Sequence, residues 1–304
     1  MSVEELGSLG VFVWRVGSRN VMKLLPMSLT IAVALTTLST AADGMQVQAV
    51  REESLVGDFY HGSYPARAIL LLGGSEGGIA WQGHRTPIIT LVEKGYAVLA
   101  LAYFKHAGLP ETLNTIPLEY FDNAIRWLIH HDRTRGRNVT IIGGSKGAEA
   151  ALLIASTNQA VDVVIGFSPS AYVFQGIFHP RGEVRSSWSR AGVDVPFAPF
   201  VAGADQKPGE YVEMYRNSVT DPIIRERSMI RVESITAPIL LVSGAQDRLW
   251  PSEQMGDAVE ERLQERGFDY PFVHMVLETG HGVSEHPDVW PMVINFLTEH
   301  FAPE

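Results

Sequence analysis

The chain has 304 residues, 46% of them hydrophobic and 19% charged, a balance that can bury a full core and excludes wholesale disorder. Its net charge of −10 disfavours nucleic acid as the main partner. With no cysteine there is no disulfide framework, thiolate nucleophile or Cys-ligated metal, so any covalent chemistry must use Ser, Thr, Lys or a carboxylate.

The first element is apolar. Leu24–Leu38 follows Arg15, Arg19 and Lys23 and precedes Ser39-Thr40-Ala41-Ala42, the order of an export signal. It falls short of the ~20 apolar residues of a membrane span, and Pro26 sits near its start. Residues 1–42 are therefore expected to be a signal peptide with an extended amino region, cleaved near Ala42. That leaves 43–304 as an exported, periplasmic or secreted catalytic domain with no stable membrane anchor. If the segment is not a signal, a cytoplasmic location follows instead.

Beyond it, strand-length apolar runs recur at Arg67–Leu72, Tyr96–Ala102, Asn138–Ile142, Val161–Phe167, Pro238–Val242 and Phe272–Leu277. Several lack polar alternation, as strands covered on both faces do. Helices are expected at Pro117–His131, Ala148–Ser156 and Ser252–Arg266. The alternation predicts an α/β fold with a mostly parallel central sheet and helices on both faces. Residues 168–234 break the rhythm with Gly, Pro, Ser and Arg. A connection this long is usually functional, and a cap over the sheet is expected there. Its charges balance, and composition leaves open whether Arg181, Arg185 and Arg190 converge on a phosphate site.

G-x-S-x-G occurs twice, at Gly73–Gly77 and Gly143–Gly147. A nucleophilic serine needs a strand, a sharp turn that exposes its hydroxyl, and a helix whose amino end favours negative charge. Ser145 has all three, between Val139–Ile142 and Ala148–Leu153. Ser75 follows a strand but leads into Gly77-Gly78, a poor helix start, and reads as an oxyanion loop. The oxyanion donors are then the backbone N–H groups of Ser75 and Lys146. A serine also needs a histidine to take its proton and an acid to orient the histidine. Asp247 and His281 follow the strands at 238–242 and 272–277, in the chain order Ser, acid, His that α/β-hydrolases use. Asp257 and Glu278 are the next candidates for the acid. His84, His179 and His286 form no spaced ligand set and there is no H-E-x-x-H, so neither metal nor cofactor is expected.

Taken together, Leu72–Gly78, Ile116–Phe121, Gly144–Glu149, Pro238–Gly244, Asp247–Ser252 and Gly280-His281 resemble the carboxyl-terminal catalytic domain of acyl-CoA thioesterases and bile acid-CoA:amino acid N-acyltransferases. The resemblance implies an α/β-hydrolase with Ser145 as nucleophile, Asp247 as acid and His281 as base. It also implies hydrolysis of acyl thioesters through an acyl-enzyme. Amide-forming members of the family use cysteine, so serine at 145 points to water as acceptor. The alternatives are a secreted carboxylesterase acting on oxygen esters, acyl transfer to an amine, and a catalytically silent binding protein. A small-molecule acyl substrate is the expected partner, and the oligomeric state is left open.

Overall fold

The computed structural model describes residues 44–51, 55–83, 85–177, 184–203, 207, 209 and 211–303. The expected signal segment, with Arg181, His84 and His179, lies outside them. In chain order the elements are β1 (Gln46–Val50), β2 (Val56–His61), β3 (Ala66–Leu72), α1 (Thr86–Glu93), β4 (Tyr96–Ala102), β5 (Ile116–Pro117), α2 (Leu118–His130), β6 (Thr134–Gly144), α3 (Lys146–Ala155) and β7 (Val161–Phe167). Then come β8 (Trp188–Arg190), β9 (Val193–Asp194), α4 (Val212–Ser218), α5 (Pro222–Ser228), β10 (Ile239–Gly244), α6 (Ser252–Glu265), β11 (Phe272–Leu277) and α7 (Val289–His300). Among the described residues no helix is long and apolar enough to cross a membrane.

Eight strands form one sheet in the order β1-β2-β4-β3-β6-β7-β10-β11. From β4 to β11 every neighbouring pair is parallel, whereas β1 and β2 add an antiparallel edge. All six strands expected from the apolar runs are present. The two-residue period of a strand explains why those runs show no alternation. Ala68, Leu70 and Leu72 of β3 join Leu99 of β4 and Ile141 of β6 in one apolar cluster, with α2, α3 and α6. The intervening Ile69 and Leu71 join Val98 and Ile142 in a second cluster, with α1 and α7. Both faces are covered, so both sets of side chains must be apolar.

β1 and β2 were not expected, because Gln46, Gln48, Asp58 and His61 interrupt their apolar character. α3 begins at Lys146 rather than Ala148, since Gly147 lies inside its first turn. All ten residues of α3 are buried, as the all-round apolar pattern after Glu149 requires. Between β7 and β10 the chain leaves the sheet. There β8 pairs with β5 at Ile116↔Trp188, which ties this excursion to the start of α2.

The turn after β6 approaches the loop after β3 most closely at Gly147. A Cβ there would overlap the carbonyl oxygen of Gly73 and lie 2.7 Å from that of Leu72. Gly147→Ala is therefore expected to destabilise the chain by at least the ~1–3 kcal/mol typical of overpacking, since backbone cannot swing aside. A urea unfolding midpoint equal to that of the parent chain would contradict this contact.

Candidate active site

Four loops meet at the carboxyl edge of the sheet, where parallel α/β sheets place their crevices. The first follows β6. Ser145 has φ 55° and ψ −120°, a region that L residues rarely occupy. The surroundings fix it there. Ser145 N–H donates to the Phe167 carbonyl (2.8 Å), and the Ser145 carbonyl accepts from Ala148 N–H (2.9 Å) and Glu149 N–H (3.1 Å). Lys146 is the first helical residue, so its N–H has no acceptor within α3 and is available to a ligand.

The second loop, Gly73–Gly78, lies against that turn. The position of a Gly74 Cβ is 3.0 Å from the Ser145 Cβ. Tyr103, buried beneath, donates its hydroxyl to the Gly73 carbonyl (2.6 Å) and the Gly74 carbonyl (3.3 Å), and Gly74 N–H donates to Glu76 Oε1 (2.8 Å). Burial, with Glu76 and Glu149 nearby, pushes the Tyr103 phenol well above its ordinary pKa, so it stays a proton donor. Sequence reasoning missed Tyr103. It directly follows β4, a hydroxyl at the carboxyl end of an apolar run where this fold builds its site, which is the signal that could have found it.

The third and fourth loops bring Asp247 and His281 together. Gln246 N–H donates to the Thr279 carbonyl (3.0 Å) and Ala245 N–H to that of Leu277 (2.9 Å). Asp247 Oδ2 accepts from His281 Nδ1–H at 2.8 Å, and Oδ1 accepts from Leu249 N–H (2.9 Å) and Trp250 N–H (3.2 Å). The Asp247 side chain is 1% exposed, so these three N–H groups stand in for its lost water. Ser168, at φ 46°, donates its hydroxyl to the His281 carbonyl (2.6 Å), and the Trp250 ring packs edge-on against the imidazole. Among the described residues no hydrogen bond joins Ser145 to His281, but both line the same two cavities. Of the other acids considered, Glu278 accepts from Gln246 (3.3 Å) and Asp257 lies on α6 beside His274.

The first cavity, about 420 Å³, has an apolar wall of Ile177, Phe200, Met214, Tyr215, Leu249 and Trp250 beside Ser75, Ser145, Lys146 and His281. The second, about 720 Å³, runs along Gly73–Gly78 to Trp81, Lys105 and Glu285. Among the described residues no arginine lines either cavity. Arg185 forms a two-point bond with Asp194 (2.7 and 2.9 Å) and Arg190 pairs with Asp122 (2.7 Å), so these two do not converge on the serine.

Behind the turn lies a buried ion pair that sequence reasoning did not find. Lys146 Nζ is 2.6 Å from Glu149 Oε2, with side chains 2% and 0% exposed. Glu149 Oε1 also accepts from Trp188 Nε1 (2.8 Å) and Phe174 N–H (3.2 Å), both from the excursion between β7 and β10. Burial pushes the lysine pKa down and the glutamate pKa up, each opposed by the other's charge. A charged pair inside an otherwise apolar helix was the available signal.

A family model described as BAAT / acyl-CoA thioester hydrolase C terminal matches residues 116–294. Acyl-coenzyme A thioesterase 6 of Mus musculus is 29% identical over 248 residues, 79% of this chain and 53% of that protein. Mitochondrial acyl-coenzyme A thioesterase 2 of Homo sapiens is 30% identical over 202 residues, 66% of this chain and 40% of that protein. The chain thus spans about half the length of the curated relatives it matches. Among solved structures, an esterase of Pyrococcus furiosus superposes with TM-score 0.56 at 17% identity, covering 84% of this chain and 92% of its own. An acylaminoacyl peptidase of Pyrococcus horikoshii gives TM-score 0.56 at 12% identity, covering 85% and 42%. These likenesses establish the α/β-hydrolase fold.

Glu149→Ala would leave a buried ammonium without its partner and strand the Trp188 N–H. It is expected to cost about 3–5 kcal/mol, while Lys146→Met with Glu149→Gln should recover most of that loss. A denaturation series showing a loss below about 1 kcal/mol for Glu149→Ala, the scale of a surface pair, would contradict this assignment.

Proposed function

The chain belongs to the BAAT / acyl-CoA thioester hydrolase C-terminal family, and from that premise we propose that it is a serine-dependent acyl hydrolase acting on acyl thioesters. The observation that carries the reading is the His281–Asp247 bond of 2.8 Å beside a serine held at φ 55° on a shared cavity. In this reading Ser145 Oγ attacks the acyl carbonyl carbon as His281 Nε2 takes its proton. The carbonyl oxygen becomes an oxyanion facing the Ser75 and Lys146 N–H groups, each such donor being worth roughly 2.7–4 kcal/mol to the barrier. His281 then returns the proton to the departing thiolate. Water, deprotonated by the same imidazole, cleaves the acyl-enzyme and frees the acid. Asp247 holds the Nδ1–H tautomer and balances the imidazolium.

The apolar cavity suits the acyl group and the glycine-lined cavity the leaving group. The excursion over 168–234 is proposed as the cap, because Ile177, Phe200, Met214 and Tyr215 wall the first cavity. Residues 43–304 form the catalytic unit in this account, and 1–42 a signal for export. The thioester is favoured because the curated relatives are named acyl-coenzyme A thioesterases. One observation favours an oxygen ester as the second reading. Arg185, Arg190 and Arg216, three arginines of the cap segment, are already paired with Asp194, Asp122 and Glu213 rather than directed to a phosphate.

Ser145→Ala is expected to lower kcat by several orders of magnitude, because no acyl-enzyme can form, whereas Ser75→Ala, which keeps its N–H, should retain most activity. Reversal of that ranking in a steady-state assay would exchange the two serines' roles. Asp247→Asn is expected to fold normally and lose about 10⁴-fold in kcat, as in the serine-protease template. Near-parental turnover would move the acid elsewhere. Release of free coenzyme A from acyl-CoA, set against turnover of short oxygen esters, separates the two leaving groups. Ester cleavage without acyl-CoA cleavage would sink the thioester reading.

A further inference from the structure

At the β11 edge of the sheet, α6 and β11 bring Asp257, Glu260 and His274 together. Their ligand atoms lie within 4.8 Å of one another. His274 is not a surface histidine in the ordinary sense. Its side chain is 3% exposed, and its ring lies flat on α6 where Gly256 has no Cβ; a Cβ there would overlap the ring.

The contacts accommodate a proton on Nε2. Ser243 Oγ, 3.0 Å from the Ser252 carbonyl oxygen, can give that oxygen its hydrogen and accept from His274 Nε2–H at 2.8 Å. In this tautomer Nδ1 carries a lone pair. That lone pair faces Asp257 Oδ1 at 3.4 Å, with Glu260 adjoining. In that tautomer the lone pair and the two carboxylates turn their donor atoms toward one another, the arrangement a bound cation satisfies.

We propose that His274 Nδ1, Asp257 and Glu260 form a binding site for a divalent transition-metal ion. One imidazole nitrogen and two carboxylates suit zinc, with a fourth position open to water through the solvent-exposed Asp257. The Nε2–H bond to Ser243 is the outer-shell contact that orients a metal-binding histidine. The ion would clamp α6 to β11 and stabilise the folded chain, with no part in the acyl chemistry. The sequence held no sign of it, because Asp257 and Glu260 reach His274 only across the sheet-to-helix packing.

The test uses the full chain, stripped with EDTA, dialysed and titrated with zinc chloride by calorimetry at neutral pH. The expected result is saturable binding with a raised Tm, as for any ligand of the native state alone. In Asp257→Asn/Glu260→Gln that binding should weaken by roughly tenfold or more, and the zinc-induced rise in Tm should vanish. Both replaced side chains lie at the surface of α6, and an unchanged circular dichroism spectrum would establish that the variant folds. Absence of zinc binding by the parent chain, or the same stoichiometry and affinity in the double variant, would overturn the proposal.

Discussion

The site depends on how closely the backbone after β6 approaches the backbone after β3. Gly147 sits where any side chain would collide with the Gly73 carbonyl, and this contact presses the Ser145 turn against the glycine loop. It brings Ser75, Ser145 and Lys146 to the wall of one cavity. In the proposed mechanism the two backbone N–H groups there are held by the sheet and need no reorganisation at the moment of reaction. The strained φ of Ser145 follows from the same geometry, since the chain must turn from strand to helix with no room to relax.

Buried charge is handled differently on the two sides of the serine. Asp247 is desolvated but receives three N–H groups, two from its own loop and one from His281, so its ionised form is matched at every oxygen. Glu149 is matched by Lys146, the Trp188 indole and the Phe174 N–H. The second arrangement joins α3 to the excursion that walls the apolar cavity. Phe174 continues the connection through Tyr215, ring centroids 4.8 Å apart, and Tyr215 through Trp250 to His281. The apolar cavity and the loops that carry Asp247 and His281 thus share one packed set of side chains.

Much of this was legible in the sequence wherever the information was local. β3, β4, β6, β7 and β10 announced themselves because strands covered on both faces are mostly apolar, β11 did so as an apolar run although Val273 and Val276 are exposed at the sheet edge, and the loops at the strand ends carried Ser145, Asp247 and His281 in order. β1 and β2 were not legible, since an antiparallel edge tolerates the polar residues that Gln46, Gln48 and Asp58 supply. Non-local contacts left no mark either. Nothing in the spacing of Trp188 and Glu149, or of His274 and Asp257, reveals that they meet. The cap wall is hidden for the same reason: Phe200 and Tyr215 reach the cavity through a segment whose composition says only that it is not a strand. Composition left open whether the cap arginines converge, and the fold spends Arg185 and Arg190 on separate carboxylates.

The central claim is that the serine at the end of β6, and no other nucleophile, carries the acyl group. Labelling the full chain with an organophosphonate ester and mapping the adduct by peptide mass spectrometry addresses it most directly. The account predicts a single stoichiometric adduct on Ser145 that disappears in Ser145→Ala and forms far more slowly in Asp247→Asn. An adduct on Ser75, or none on a folded chain that still hydrolyses acyl substrates, would contradict it.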